Sequence, residues 1–87
     1  MANVNNIYYI NIFKNNNLTN NEKLLLLDFI TILGDDLSKP IQETNDELAR
    51  HCSLTGRSVA TMIKNLKDKK YIRVEYNGHF RKIKIIR

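Results

Sequence analysis

The segment from Thr44 to Lys69 limits the fold most, because two helix starts are written into it with only a tight turn between them. Thr44 is followed three residues later by Glu47. In that pattern the hydroxyl and the carboxylate each satisfy a backbone amide that the first turn of a helix leaves open. A helix is therefore expected over Asn45 to Cys52. Ser53-Leu54-Thr55 then reads as a three-residue turn, and Thr55 as the cap of another helix from Gly56 to about Lys69. Asp46 and Glu47 open the first of these helices, and Lys67, Lys69 and Lys70 crowd the end of the second. Both placements suit the helix dipole.

Upstream, Thr19 and Glu22 repeat the capping pattern, and Gly34 offers a natural stop. The helix between them, about Asn20 to Leu33, carries Leu25, Phe29 and Ile32 on one stripe, with Leu26, Ile30 and Leu33 beside it. So broad an apolar face suits the centre of a small domain. Ile7 to Phe13 is rich in β-branched and aromatic residues and reads as a short strand; a helix start or a dimer contact are the alternatives. Residues 1–6 read as frayed. Asp35 to Pro40 is a loop, after which Ile41 can add to a small sheet.

Downstream, Tyr71 to Tyr76 alternates apolar and polar residues, and His79 to Ile86 returns. Asn77-Gly78 between them is a favoured two-residue type I′ turn. Pairing across it sets Tyr76 opposite His79, Val74 opposite Arg81 and Ile72 opposite Ile83. Ile72, Val74, Ile83 and Ile85 share one face.

The chain has 87 residues and a net charge of +5. That length suits one domain, residues 1–87, with a small core. The charge is strongly polarised. Residues 1–55 carry four basic and seven acidic side chains, and residues 56–87 carry ten basic and two acidic ones. A basic end of this kind suits a polyanion, although charge alone does not separate that reading from a solvated lysine-rich surface.

Other classes find little support. Cys52 is the single cysteine, so no internal disulfide forms, which fits a reducing cytoplasm. No leader pattern and no membrane-spanning apolar run occurs, so a cytoplasmic protein without membrane contact is expected. His51 and His79 lack metal-ligand spacing, and no phosphate loop, Ser/His/Asp set or H-E-x-x-H motif is present. An enzyme, a cofactor, a metal site and a small-molecule ligand are not expected. Cys52 reads as a core residue, and Tyr8, Tyr9, Tyr71 and Tyr76 as packing groups.

The whole order is helix, helix, tight turn, helix, hairpin, with Ala49 small enough for a steep crossing and Leu48, Cys52, Leu54, Val59 and Met62 placed to be buried. In Thr44 to Ile63 the chain resembles the helix-turn-helix family, and the hairpin resembles its winged branch. The fold class implied is α+β: three helices and a C-terminal wing, with the extra N-terminal strand as an option. Residues 44–69 would form the helix-turn-helix and 71–86 the wing. Ser53 departs from the glycine many members place in the turn.

The resemblance implies that the third helix enters the major groove of double-stranded DNA. Its outward face would carry Thr55, Gly56, Arg57, Ala60, Thr61 and Lys64. Arg57 is the candidate for reading guanine, because a guanidinium can donate two bonds to one guanine edge. Ala60 and Thr61 suit a thymine methyl, and Gly56 keeps the helix start slim. Thr55, Ser58 and the amides near them suit a phosphate. Asn77, Gly78 and His79 would form the wing tip, with Arg73, Arg81 and Lys82 flanking it and positioning the duplex.

A closer resemblance covers residues 7–76. Leu18 to Leu27, Asn45 to Ala49, Leu54 to Val59 and Ile63 to Ile72 look like winged-helix domains of plasmid and phage replication initiators and replisome organisers. Lys70 stands where that pattern has glycine. These motifs are shared with transcriptional repressors, including MarR-like proteins. The implied function is sequence-specific DNA binding in plasmid or phage replication, often as a homodimer. A small transcriptional regulator of a mobile element and a protein-binding winged helix are the alternatives.

Overall fold

The structure, a computed structural model, describes residues 11–86. From Asn20 on, the described residues form three helices and one hairpin in chain order: α1 (Asn20–Leu33), α2 (Asn45–Cys52), α3 (Gly56–Asp68), β1 (Ile72–Asn77) and β2 (Phe80–Ile85). Residues 11–13 are helical, which corrects the expected strand over that part. The remainder of that expectation, from Ile7 to Ile10, lies outside the described residues, as do residues 1–6, Tyr8 and Tyr9.

The helix starts follow from local chemistry. The Thr19 hydroxyl accepts from the Glu22 amide at 3.1 Å while the Glu22 carboxylate accepts from the Thr19 amide at 3.0 Å. Thr44 and Glu47 repeat the exchange at 3.2 and 3.0 Å. At α3 the Thr55 hydroxyl accepts from the Ser58 amide at 3.1 Å, with no acidic partner in the first turn.

Two helix ends use left-handed residues that are not glycine. Ser53 closes α2 at φ 56°, and Lys70 follows α3 at φ 71°. After α3 the Tyr71 amide donates to the Leu66 carbonyl, and the Lys70 amide to the Lys67 carbonyl, both at 3.0 Å. That pair of bonds is a Schellman motif, whose left-handed position favours glycine. Ser53 and Lys70 thus both stand where the resembling families place glycine, and both hold the left-handed backbone that glycine adopts without strain.

One core joins every element. Leu25, Leu26, Phe29 and Ile30 of α1 pack with Leu48, Ala49 and Cys52 of α2 and with Val59, Met62, Ile63 and Leu66 of α3. Ile72, Ile83 and Ile85 seal it from the hairpin, and Leu37 and Ile41 from the loop after α1. Leu54 is only partly buried. Truncating Phe29, which is fully buried, to alanine would cost about 3–5 kcal/mol, a large share of the stability of a small domain.

Strands β1 and β2 are antiparallel, with Ile72 opposite Ile85, Val74 opposite Ile83 and Tyr76 opposite Arg81. The sequence-based register placed each partner two residues earlier. The turn is Gly78-His79 rather than Asn77-Gly78, and Asn77 pairs with Phe80 at the end of the strands. Gly78 has φ 63° while Asn77 and His79 have no positive φ, the sign pattern of a type II′ turn. The physical reason lies at the other end of the hairpin. The observed register sets the apolar residues Ile72 and Val74 against the apolar Ile85 and Ile83. Ile41 then adds a bridge to Ile83, with bonds of 2.8 and 2.9 Å, as its position suggested.

Candidate nucleic-acid interface

Helix α3 buries Val59, Met62, Ile63 and Leu66, which orients its other face outward. Thr55, Arg57, Ala60, Thr61 and Lys64 are exposed, and Gly56 and Ser58 are half-buried. Arg57, Ala60/Thr61 and Lys64 recur at helical spacing, so they form one stripe along the helix. The Thr61 hydroxyl donates back to the Arg57 carbonyl at 3.2 Å. Its side chain retains the methyl group and oxygen lone pairs for a partner. The Ser58 amide is already used by Thr55, and the two hydroxyls meet at 3.0 Å. A phosphate there would meet hydroxyls and not that amide.

Between the start of α3, the start of α2 and the wing tip runs an open cleft of about 850 Å³. Gly56 and Arg57 border it on one side, and His79 and Arg81 on the other. The structure thus brings together four of the residues expected from the sequence. It also adds Asn45, Asp46, Tyr76 and Phe80, which sequence reasoning missed. Glu43 and Asp46 make the cleft mixed in charge, so a phosphate would be drawn toward Arg57 and held off the carboxylates.

Gly56 lies close against the first turn of α2. A Cβ added there would meet the Asp46 Oδ1 at 2.6 Å. The slim helix start expected at Gly56 therefore accommodates a neighbouring carboxylate within the protein.

Arg81 is engaged within the chain. Its Nη1 donates to the Asn45 Oδ1 at 2.6 Å and its Nη2 to the Glu43 carbonyl at 2.9 Å. These bonds fasten the returning strand to the start of α2. A guanidinium has five donors, so the tether does not exhaust it.

The remaining wing residues divide by the shifted register. Gly78 and His79 form the tip. Arg73 lies at the base of the hairpin opposite Lys84, beside a separate shallow cleft of about 330 Å³, so it does not flank the tip as expected. Lys82 is half-buried on the outer face opposite Glu75, whose carboxylate also stands 4.0 Å from Lys84.

Tyr76 is 75% exposed and so is not the packing residue it was expected to be. Tyr71 does pack, and its hydroxyl accepts from Asn15 at 2.6 Å. Phe80 carried a readable signal: it shares the parity of Lys82 and Lys84 on the polar face of β2, where an aromatic ring has no core to join.

Lys69 is held by structure. Its ammonium lies 2.7 Å from the Glu22 carboxylate and 2.8 Å from the Asn17 carbonyl. Burial alone would raise the Glu22 carboxyl, but the bonds from Lys69, the Thr19 amide and Asn65 hold it below its ordinary value. Cys52 is buried, and burial together with the Asp28 charge pushes its thiol up, away from the reactive thiolate. Among the described residues no group of three His, Cys, Asp or Glu side chains converges to hold a metal ion, and no helix is long and apolar enough to cross a membrane.

No family model matches the chain, and no curated protein matches it. Among solved structures it is similar to MepR, a transcription regulator of the Staphylococcus aureus multidrug efflux pump MepA, with a TM-score of 0.57 and 18% sequence identity. The match covers 91% of this chain and 53% of MepR, so the chain spans about half the length of that protein. At this identity the likeness shows a shared fold, the winged helix, in which α2 and α3 are the helix-turn-helix and β1–β2 the wing.

Proposed function

We propose that the chain binds double-stranded DNA in a sequence-specific manner and acts as a small transcriptional regulator in the cytoplasm, without a catalytic role. The observation that carries this reading is the outward stripe of α3, Arg57, Ala60, Thr61 and Lys64, beside a wing that bears Arg81 and Lys82. An α-helix of this kind fits the major groove, where all four base pairs differ in their exposed edges. Arg57 reads a guanine, Thr61 and Ala60 meet a thymine methyl, and Thr55 and Ser58 contact phosphate. Lys64, Lys82, Arg73, Asn77, Gly78 and His79 position the duplex. Arg81 holds the wing in place and adds positive charge. Two copies bind a palindromic site.

The regulator reading is supported by the fold shared with MepR, itself a transcription regulator. The replication-initiator reading rests on the runs Leu18 to Leu27, Asn45 to Ala49, Leu54 to Val59 and Ile63 to Ile72 alone. A palindrome near the chain's own promoter would favour regulation, and repeats at an origin would favour replication. A protein-binding winged helix is the remaining alternative, and it does not require basic residues on both α3 and the wing.

Selection of bound duplexes from a random pool tests the proposal, with affinity measured at two salt concentrations. An enriched motif and an affinity that falls steeply with salt are expected. Weak binding at low salt without enrichment would overturn it in favour of the protein-binding module.

A further inference from the structure

The wing tip exposes two aromatic rings that the fold does not use. Tyr76 and Phe80 are each 75% exposed, and the apolar packing of the hairpin ends at Val74 and Ile83. Asn77 pairs with Phe80 and Tyr76 with Arg81, so the rings sit on opposite faces of the ribbon within one residue of each other along it. Both border the cleft that begins at Arg57. The strands that carry them hold Arg73, Arg81, Lys82 and Lys84 against the single carboxylate of Glu75. An apolar tip on a cationic ribbon suits a polyanion with an apolar edge, which is the minor groove of a duplex: phosphates at its rims, and sugars and base edges within.

We propose that Phe80 presses into the minor groove as an apolar wedge at a base-pair step, with Tyr76 lying against the adjoining sugar, and that the duplex bends there. This rests on the reading of the chain as a DNA-binding domain and adds a second determinant of sequence to it. With α3 in the major groove, the cleft between α3 and the wing spans the phosphate strand that separates the two grooves. The wedge acts through deformability. Pyrimidine–purine steps unstack most readily, so they are preferred on the flank that Phe80 meets, without any hydrogen bond to a base.

The test uses the full chain and the duplex that selection enriches. Affinity and bend angle, the latter from energy transfer between the duplex ends, are measured for the parent, Phe80→Ala, Phe80→Leu and Tyr76→Ala. Because both rings are exposed, thermal unfolding should be unchanged in each variant. The parent is expected to bend the duplex and to select TA or CA steps on one flank. Phe80→Ala should lose that flank preference and most of the bend, and about tenfold in affinity, while keeping the motif read by α3. Phe80→Leu should retain the bend, since a leucine can also wedge. Parent-like binding and bending by Phe80→Ala would overturn the wedge and leave the DNA-binding reading intact. Uniform loss on all duplexes with the bend unchanged would also overturn it. A parent that binds no duplex would overturn both readings, and the exposed rings would then belong to a protein contact.

Discussion

Arg81 in the wing donates to Asn45 at the start of α2 through a bond of 2.6 Å, so the angle of the wing is set by the first turn of the helix-turn-helix. The second bond, to the Glu43 carbonyl, turns this contact into a two-point clamp. Arg81→Ala should therefore lower stability by about 1–3 kcal/mol, as expected for hydrogen bonds to a charged group. A double-mutant cycle with Asn45→Ala checks it. The two changes should be clearly less than additive. Hydrogen exchange across Asn77 to Arg81 should quicken in Arg81→Ala, and full additivity with unchanged exchange would show that no clamp operates.

Two helix ends carry backbone strain that glycine would relieve. Lys70 and Ser53 stand at φ 71° and 56° without the freedom of glycine. Lys70→Gly and Ser53→Gly should each raise stability by about 0.5–1 kcal/mol, seen as a melting temperature higher by a few degrees. Alanine at either position should give no such gain, because it keeps the Cβ that causes the strain.

Acid should weaken the join between α1 and the end of α3. The Glu22 carboxyl is held below its ordinary value of 4.5, so its stabilising effect is complete above that value and is lost as pH falls through the lowered one. Glu47 is lowered in the same direction by its bonds with Thr44 and adds to the trend. Glu22→Gln keeps a group that can accept from the Thr19 amide but removes the charge opposite Lys69. It should cost about 1–3 kcal/mol at neutral pH and flatten the decline between pH 5 and pH 3, measured by thermal unfolding across that range. A Glu22→Gln profile as steep as the parent's would place the acid sensitivity elsewhere.

Gly56→Ala separates folding from recognition. The new Cβ meets only the end of a flexible side chain, Asp46 Oδ1, and alanine favours a helix, so stability should change by less than about 1 kcal/mol. The displaced carboxylate stays in the cleft beside Arg57, and DNA affinity should fall. Adding Asp46→Ala should restore it, which binding titrations with the selected duplex would measure.

Arg57→Ala and Lys82→Ala should fail in different ways. The first should weaken specific binding by about 1–3 kcal/mol and relax one base preference. The second should weaken all duplexes alike and flatten the salt slope by about one. Titrations of specific and random duplexes at several salt concentrations distinguish the two. Parent-like behaviour in both would move the interface away from α3 and the wing.

The amino-acid sequence by itself determined α1, α2 and α3 and where each begins. Thr19 with Glu22, Thr44 with Glu47, and Thr55 act on amides three residues away, so nothing distant is needed to read them. It also determined the outward stripe of α3, because burial of Val59, Met62, Ile63 and Leu66 leaves Arg57, Ala60, Thr61 and Lys64 no other face. The register of the hairpin was not local. Asn77-Gly78 and Gly78-His79 can both make a two-residue turn. The choice between them was made by Ile72 and Val74 meeting Ile85 and Ile83 over the core, and by the bridge from Ile41. That shift changed the partner of Arg73, which lies at the base of the wing in either register, from Lys82 to Lys84. Only the tertiary structure could place Arg81 against Asn45, because the two residues meet only after the hairpin folds back over the helices. Local chemistry sets what neighbours along the chain can satisfy. The cleft, the clamp and the bare aromatic rings depend on which distant surfaces the core brings together.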